Sequence, residues 1–167
     1  MRSHRTTLPG MDLAWIEPGF AIGSRPYVPE RRQIAAAGIE AIVALHEPAE
    51  GEADAWRKLG IDFEVIPTPD WVAIPRACFT SAVEAVLRRR ARGQSVLLHC
   101  LAGVNRAPTV AAAVLCRRDG LSVGEALARV RAARPAAAPT PEQVASLRAW
   151  LRAEPDQPSD VASSGSC

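Results

Sequence analysis

The stretch Val96-Leu97-Leu98-His99-Cys100-Leu101-Ala102-Gly103-Val104-Asn105-Arg106-Ala107-Pro108-Thr109 decides how the rest of the chain is read. Its apolar start predicts a short buried strand. A loop with one glycine follows, and Pro108 then opens an alanine-rich, apolar helix from a first-turn position. A cysteine at the mouth of a strand, with an arginine six positions on at a helix N-terminus, describes an anion trap holding a nucleophile. Loop N–H groups and the helix dipole converge on one point. Arg106 adds a planar fork suited to the oxygens of a phosphate. In such a field a cysteine acts as a nucleophile.

A cysteine just after a strand is ordinarily a small buried hydrophobe. Here His99, Cys100, Gly103, Arg106 and Pro108 stand in register around it. Residues 99–106 resemble the Cys-x5-Arg signature of protein tyrosine phosphatases, and His-Cys-x-Ala-Gly-x-x-Arg is similar to the dual-specificity branch. Ile22-Gly23-Ser24-Arg25 resembles the entry to that domain, and Arg134-Pro135 through Thr140-Pro141-Glu142-Gln143 resembles its later Arg-Pro and Pro-Glu-Gln region. The resemblance spans roughly residues 15–152 and implies Cys100 and Arg106 as catalytic residues. It implies a substrate-binding loop of His99, Leu101, Ala102, Gly103, Val104, Asn105 and Arg106, with His99 orienting the loop. No metal or other cofactor is required.

A general acid is sought on a neighbouring loop. Pro67-Thr68-Pro69-Asp70-Trp71 is stiffened by two prolines just beyond a strand, so Asp70 projects past the sheet edge. Pro-Asp is also a routine turn dipeptide. The resemblance places an acid about this far ahead of the Cys-x5-Arg loop, which makes Asp70 the third catalytic candidate. Two positions depart from the family pattern. Ala107 stands where a hydroxyl ordinarily assists thiolate departure, with Thr109 two residues on, and Asn105 replaces a smaller or hydroxyl residue.

The remaining chain is read from its punctuation. Residues 15–23 alternate weakly, as one or two short strands. A helix follows over 30–37, then strands over 39–45 and 61–65 with a short helix over 52–59 between them. Helices are predicted over 75–92 and from Pro108 to a stop at Gly120, nearly all apolar over 109–116, with two more opened by the capping boxes Ser122–Glu125 and Thr140–Gln143. His46 reads as a solvated or hydrogen-bonded loop histidine. The run Arg88-Arg89-Arg90 suits the negative end of a helix dipole. Strands alternating with helices, the last feeding an anion loop, predict a single three-layer α/β domain with a short, mostly parallel sheet flanked by helices. The domain is drawn at 11–152, with a flexible start over 1–10 and a disordered tail over 153–167.

The chain has 167 residues, 48% hydrophobic, with 20 basic and 18 acidic side chains, the balance of an ordinary globule that does not announce nucleic acid. No apolar run approaches membrane-spanning length and no leader is visible, so a cytoplasmic monomer acting on a phosphorylated protein or a small phosphomonoester is expected. Three other readings stay open. Leu45-His46-Glu47-Pro48 and Ile66-Pro67-Thr68-Pro69-Asp70 also resemble the phosphatidylglycerophosphate phosphatases. A phosphate-binding pseudo-enzyme would share the loop but would need a broken catalytic set. A rhodanese-type sulfurtransferase also uses a loop cysteine, yet leaves Asp70 without a task.

Overall fold

The computed structural model describes residues 11–153. The start expected over 1–10 and all but the first residue of the tail expected over 153–167 lie outside the described residues. Five strands form one sheet: β1 (Leu13–Glu17), β2 (Phe20–Gly23), β3 (Ala41–Ala44), β4 (Asp62–Val65) and β5 (Val96–His99), in the order β1-β2-β5-β3-β4. β5 lies at the centre, parallel to β2 and β3; β3 runs parallel to β4, and β1 alone pairs antiparallel. The mostly parallel three-layer sandwich expected above is the one observed.

The two-residue alternation of the strands sorts their side chains between two cores. Val96, Leu98, Ala41, Val43, Phe20 and Ile22 face one core, which α3 (Arg76–Ala91), α4 (Arg106–Asp119), α5 (Val123–Ala133) and α6 (Pro141–Arg152) complete. Leu97, Ile42 and Ala21 face the other, closed by Ile34 of α1 (Arg31–Ala36) and Trp56 of α2 (Glu52–Lys58). Every residue of α4 from Arg106 to Cys116 is buried, as its alanine-rich run predicts. Both predicted capping boxes form.

One surface expectation is extended and one is resolved. The arginine run at the end of α3 does more than complement a helix dipole. Arg89 is 4% exposed and donates to Asp62 (2.9 Å) and Glu64 (2.5 Å), joining α3 to the edge strand β4. Arg90 donates to the Pro18 carbonyl in the β1–β2 turn. His46, read as a solvated or hydrogen-bonded loop histidine, takes the second form: it is 3% exposed, with Nδ1 2.6 Å from the Glu47 carbonyl.

Because β2, β3, β4 and β5 run parallel, their C-terminal ends open at one edge of the sheet. The loops after β2, β3, β4 and β5 gather there, where α/β folds build sites.

Candidate active site

Cys100 is the first residue beyond β5 and is 2% exposed. The loop 101–105 then bends round so that its carbonyls face outward and each finds a donor. Leu101 O accepts from the Arg25 amide (3.0 Å), and Ala102 O from Arg134 Nη2 (3.2 Å). Gly103 O accepts from Arg134 Nε (2.7 Å), Val104 O from the Ala138 amide (2.7 Å), and Asn105 O from the Thr109 amide and hydroxyl. Turning the carbonyls out turns the N–H groups in. Among the described residues, the amides of Leu101, Ala102, Val104 and Asn105 meet no acceptor, and the Gly103 amide donates to Cys100 Sγ at 3.2 Å. A ring of inward donors around a sulfur is an oxyanion cradle.

Two glycines allow the loop to close. Gly103 has φ +65°, and a Cβ there would lie 2.5 Å from the carbonyl carbon of Gly23. A Cβ on Gly23 would in turn lie 2.4 Å from Asp12 O. Backbone therefore packs on backbone, which no other residue permits.

Arg106 begins α4 and is 4% exposed. Its Nη1 donates to Leu45 O (3.2 Å) and Thr68 O (2.9 Å), carbonyls at the ends of the neighbouring strands. These bonds fix the guanidinium plane. Its Nη2 donates to Asp70 Oδ2 at 3.0 Å, while its buried Nε has no partner. Asp70 thus occupies one of the two donors that an arginine offers side-on to a phosphate. Of the three expected catalytic residues, Asp70 rests on Arg106, and Cys100 heads the loop that Arg106 closes.

One N–H group of the expected substrate-binding loop is already occupied. The Arg106 amide is capped by Asn105 Oδ1 at 2.7 Å, because Asn105 is the N-cap of α4. Thr109, a candidate hydroxyl for the thiolate, donates back to Asn105 O at 2.6 Å and is fully buried, so its proton is already committed.

His99 is wholly buried, with Nδ1 3.1 Å from the Cys100 carbonyl, which fixes the proton on Nδ1. Burial pushes its imidazole down to about 3, outweighing that hydrogen bond, so the ring is neutral. The His46 ring lies 5.0 Å away between centroids, and burial lowers it too. Beside them Glu52, 1% exposed, receives the Arg25 guanidinium at 2.7 Å and the Ala49 amide at 2.9 Å. Burial alone would raise Glu52; the Ala49 amide and Arg25 prevail and lower it.

Sequence reasoning assigned no task to Arg25, Glu52, Asp12 or Arg134. Arg134 is 7% exposed and grips Asp12 through Nη1 (2.7 Å) and Nη2 (2.9 Å) while holding two loop carbonyls. It is a positioning residue that ties the start of β1 to the cradle. The Arg134-Pro135 pair was its one visible signal.

The fold and this loop define the class of cysteine-dependent phosphatases. Residues 22–153 match the family model described as dual specificity phosphatase, catalytic domain, and the chain belongs to that family. Dual specificity protein phosphatase 22-B of Danio rerio is 29% identical over 130 residues, covering 78% of this chain and 69% of the relative. Phosphatidylglycerophosphate phosphatase PTPMT2 of Arabidopsis thaliana is 26% identical over 123 residues, covering 72% of this chain and 54% of that protein. The crystal structure of Tk-PTP in the active form superposes with a TM-score of 0.78 at 31% identity, over 85% of this chain and 98% of the other.

Proposed function

We propose that this phosphatase hydrolyses phosphotyrosine, phosphoserine or phosphothreonine on proteins in two steps through a phosphocysteine, with Cys100, Arg106 and Asp70 as the catalytic residues. The carrying observation is the loop's outward carbonyl bonds, which leave four amides without an acceptor on the loop that runs from Cys100 to Arg106, with Asp70 held on the arginine. Phosphate oxygens bind the amides of Leu101, Ala102, Val104 and Asn105 and displace Asp70 from Arg106. Cys100 attacks as thiolate; the P–S bond forms as the P–O ester bond breaks. Asp70 gives its proton to the leaving oxygen. A water then attacks phosphorus and passes its proton to Asp70; the P–S bond breaks, inorganic phosphate leaves and the thiolate returns. A cytoplasmic setting belongs to the same proposal, since a nucleophilic thiol needs reducing surroundings.

Release of phosphate from p-nitrophenyl phosphate and phosphotyrosyl peptides, with a chelator present, tests the reading. Cys100→Ser is expected to abolish turnover, and Arg106→Lys to lose nearly as much, because an ammonium lacks the planar fork. Activity close to wild type in either variant contradicts it. The likeness to PTPMT2 supports a second reading, a phospholipid head group as substrate, which a phosphatidylglycerophosphate assay separates from the first.

A further inference from the structure

Five large hydrophobic side chains stand exposed among the described residues: Tyr27, Val28, Trp71, Val72 and Leu101. All five lie on the three loops that border the cradle. Leu101 follows the nucleophile. Tyr27 and Val28 follow Arg25, whose amide holds the Leu101 carbonyl. Trp71 and Val72 follow Asp70, which rests on Arg106. Trp71 has φ 61°, the left-handed conformation that bulky residues avoid, and its side chain is 67% exposed. A strained backbone that holds an indole in water beside a site points to use of that indole. Apolar surface gathered on one edge of the described residues marks a contact surface.

The charges at this edge indicate what the surface contacts. Glu47 and Glu50, on the loop after β3, are exposed, and Asp70 stands beside the cradle. Arg25 is turned onto buried Glu52. Leu101, Ala102, Val104 and Asn105 carry no charge. Surfaces that dock on bilayers pair their apolar residues with lysines and arginines facing anionic head groups. Here the exposed charges on the loops beside the apolar side chains are acidic, which a lipid surface disfavours and a basic or neutral polypeptide tolerates.

Resting on the phosphatase reading above, we infer that this apolar rim selects phosphopeptides carrying aliphatic or aromatic residues beside the phosphorylated one, and that Glu47 and Glu50 discriminate against acidic flanks. The phosphate enters the cradle while flanking side chains cover Tyr27, Val28, Trp71 and Val72.

Phosphotyrosyl peptides that differ only in their flanks (Leu/Phe, Ser, Lys or Glu) test this by kcat/KM, with p-nitrophenyl phosphate as the flank-free control. The Leu/Phe peptide should exceed the Ser peptide by about tenfold, which corresponds to about 55 Å² of apolar area removed from water. The Glu peptide should be poorest. Tyr27→Ser, Val28→Ser and Val72→Ser should each shrink the Leu/Phe advantage while leaving p-nitrophenyl phosphate turnover unchanged, and Glu47→Gln with Glu50→Gln should rescue the Glu peptide. Equal kcat/KM across flanks, with p-nitrophenyl phosphate turned over normally, overturns the inference. Failure to turn over p-nitrophenyl phosphate overturns the phosphatase reading instead. Binding to phosphatidylcholine–phosphatidylglycerol vesicles that Val72→Ser abolishes, without flank preference, overturns the peptide rim in favour of a membrane contact.

Discussion

Asp70→Asn separates two effects of one carboxylate. In the structure Asp70 Oδ2 sits 3.0 Å from Arg106 Nη2, on a donor that phosphate needs. The arginine side chain is 5% exposed and the aspartate 36%, so the pair is screened on one side and is worth about 0.5–1 kcal/mol. The carboxylate also repels an incoming dianion, by a similar amount through water. Removing both costs of binding, about 1–2 kcal/mol together, should tighten vanadate or phosphate by about five- to thirtyfold. Catalysis should move the other way. An amide has no proton to give, so esters with poor leaving groups should lose about 10²–10³ in kcat while activated aryl esters lose far less. Titration calorimetry with the oxyanion and a leaving-group series of aryl phosphates read the two effects independently. Unchanged or weaker oxyanion affinity refutes the competition for Arg106, and equal losses across leaving groups reduce Asp70 to a turn residue.

Arg134→Ala should cost about 1–3 kcal/mol of stability by stranding the Gly103 and Ala102 carbonyls. Its mark as a positioning residue is a further weakening of phosphate affinity, read by competitive inhibition, that Asp12→Asn reproduces in part. Ala107→Ser should raise the steady rate and shrink any pre-steady-state burst of alcohol product. Thr109→Val should leave that burst unchanged, because its hydroxyl is bound to Asn105 O; an enlarged burst contradicts this. Both buried histidines are held below their ordinary value, His99 at about 3. The unfolded chain therefore takes up protons below about pH 6.5 that the fold refuses, and stability falls as pH drops, by up to about 1.4 kcal/mol per unit per histidine. Urea unfolding between about pH 7 and 5 should show this slope, and His99→Gln should remove its share of it.

What was legible in the sequence was local. The apolar run Val96–Leu98, the helix-opening Pro108 and the caps at Ser122 and Thr140 each act within a few residues, and the strand–loop–helix they predict is the observed scaffold. Cys100, Arg106 and Asp70 were legible through the spacing of a resembled motif. The braces were not. Arg134 and Asp12 lie 122 residues apart, and Arg25 and Glu52 lie 27 apart, and such pairs follow no period. The capping of the Arg106 amide by Asn105 depends on a side-chain rotamer, which no pattern of residue types reveals. His46 stays open between solvation and a hydrogen bond in the sequence for a related reason. Its loop composition is polar, but burial there is set by His99 and Glu52 packing from other elements.

A covalent phosphocysteine on Cys100 is detected by mass spectrometry of protein quenched within milliseconds of mixing with a phosphotyrosyl peptide. A phosphoryl adduct should map to the peptide containing Cys100, accumulate in proportion to any burst, and be absent from Cys100→Ser. Turnover without an adduct on Cys100, or with one on a different residue, would contradict the account.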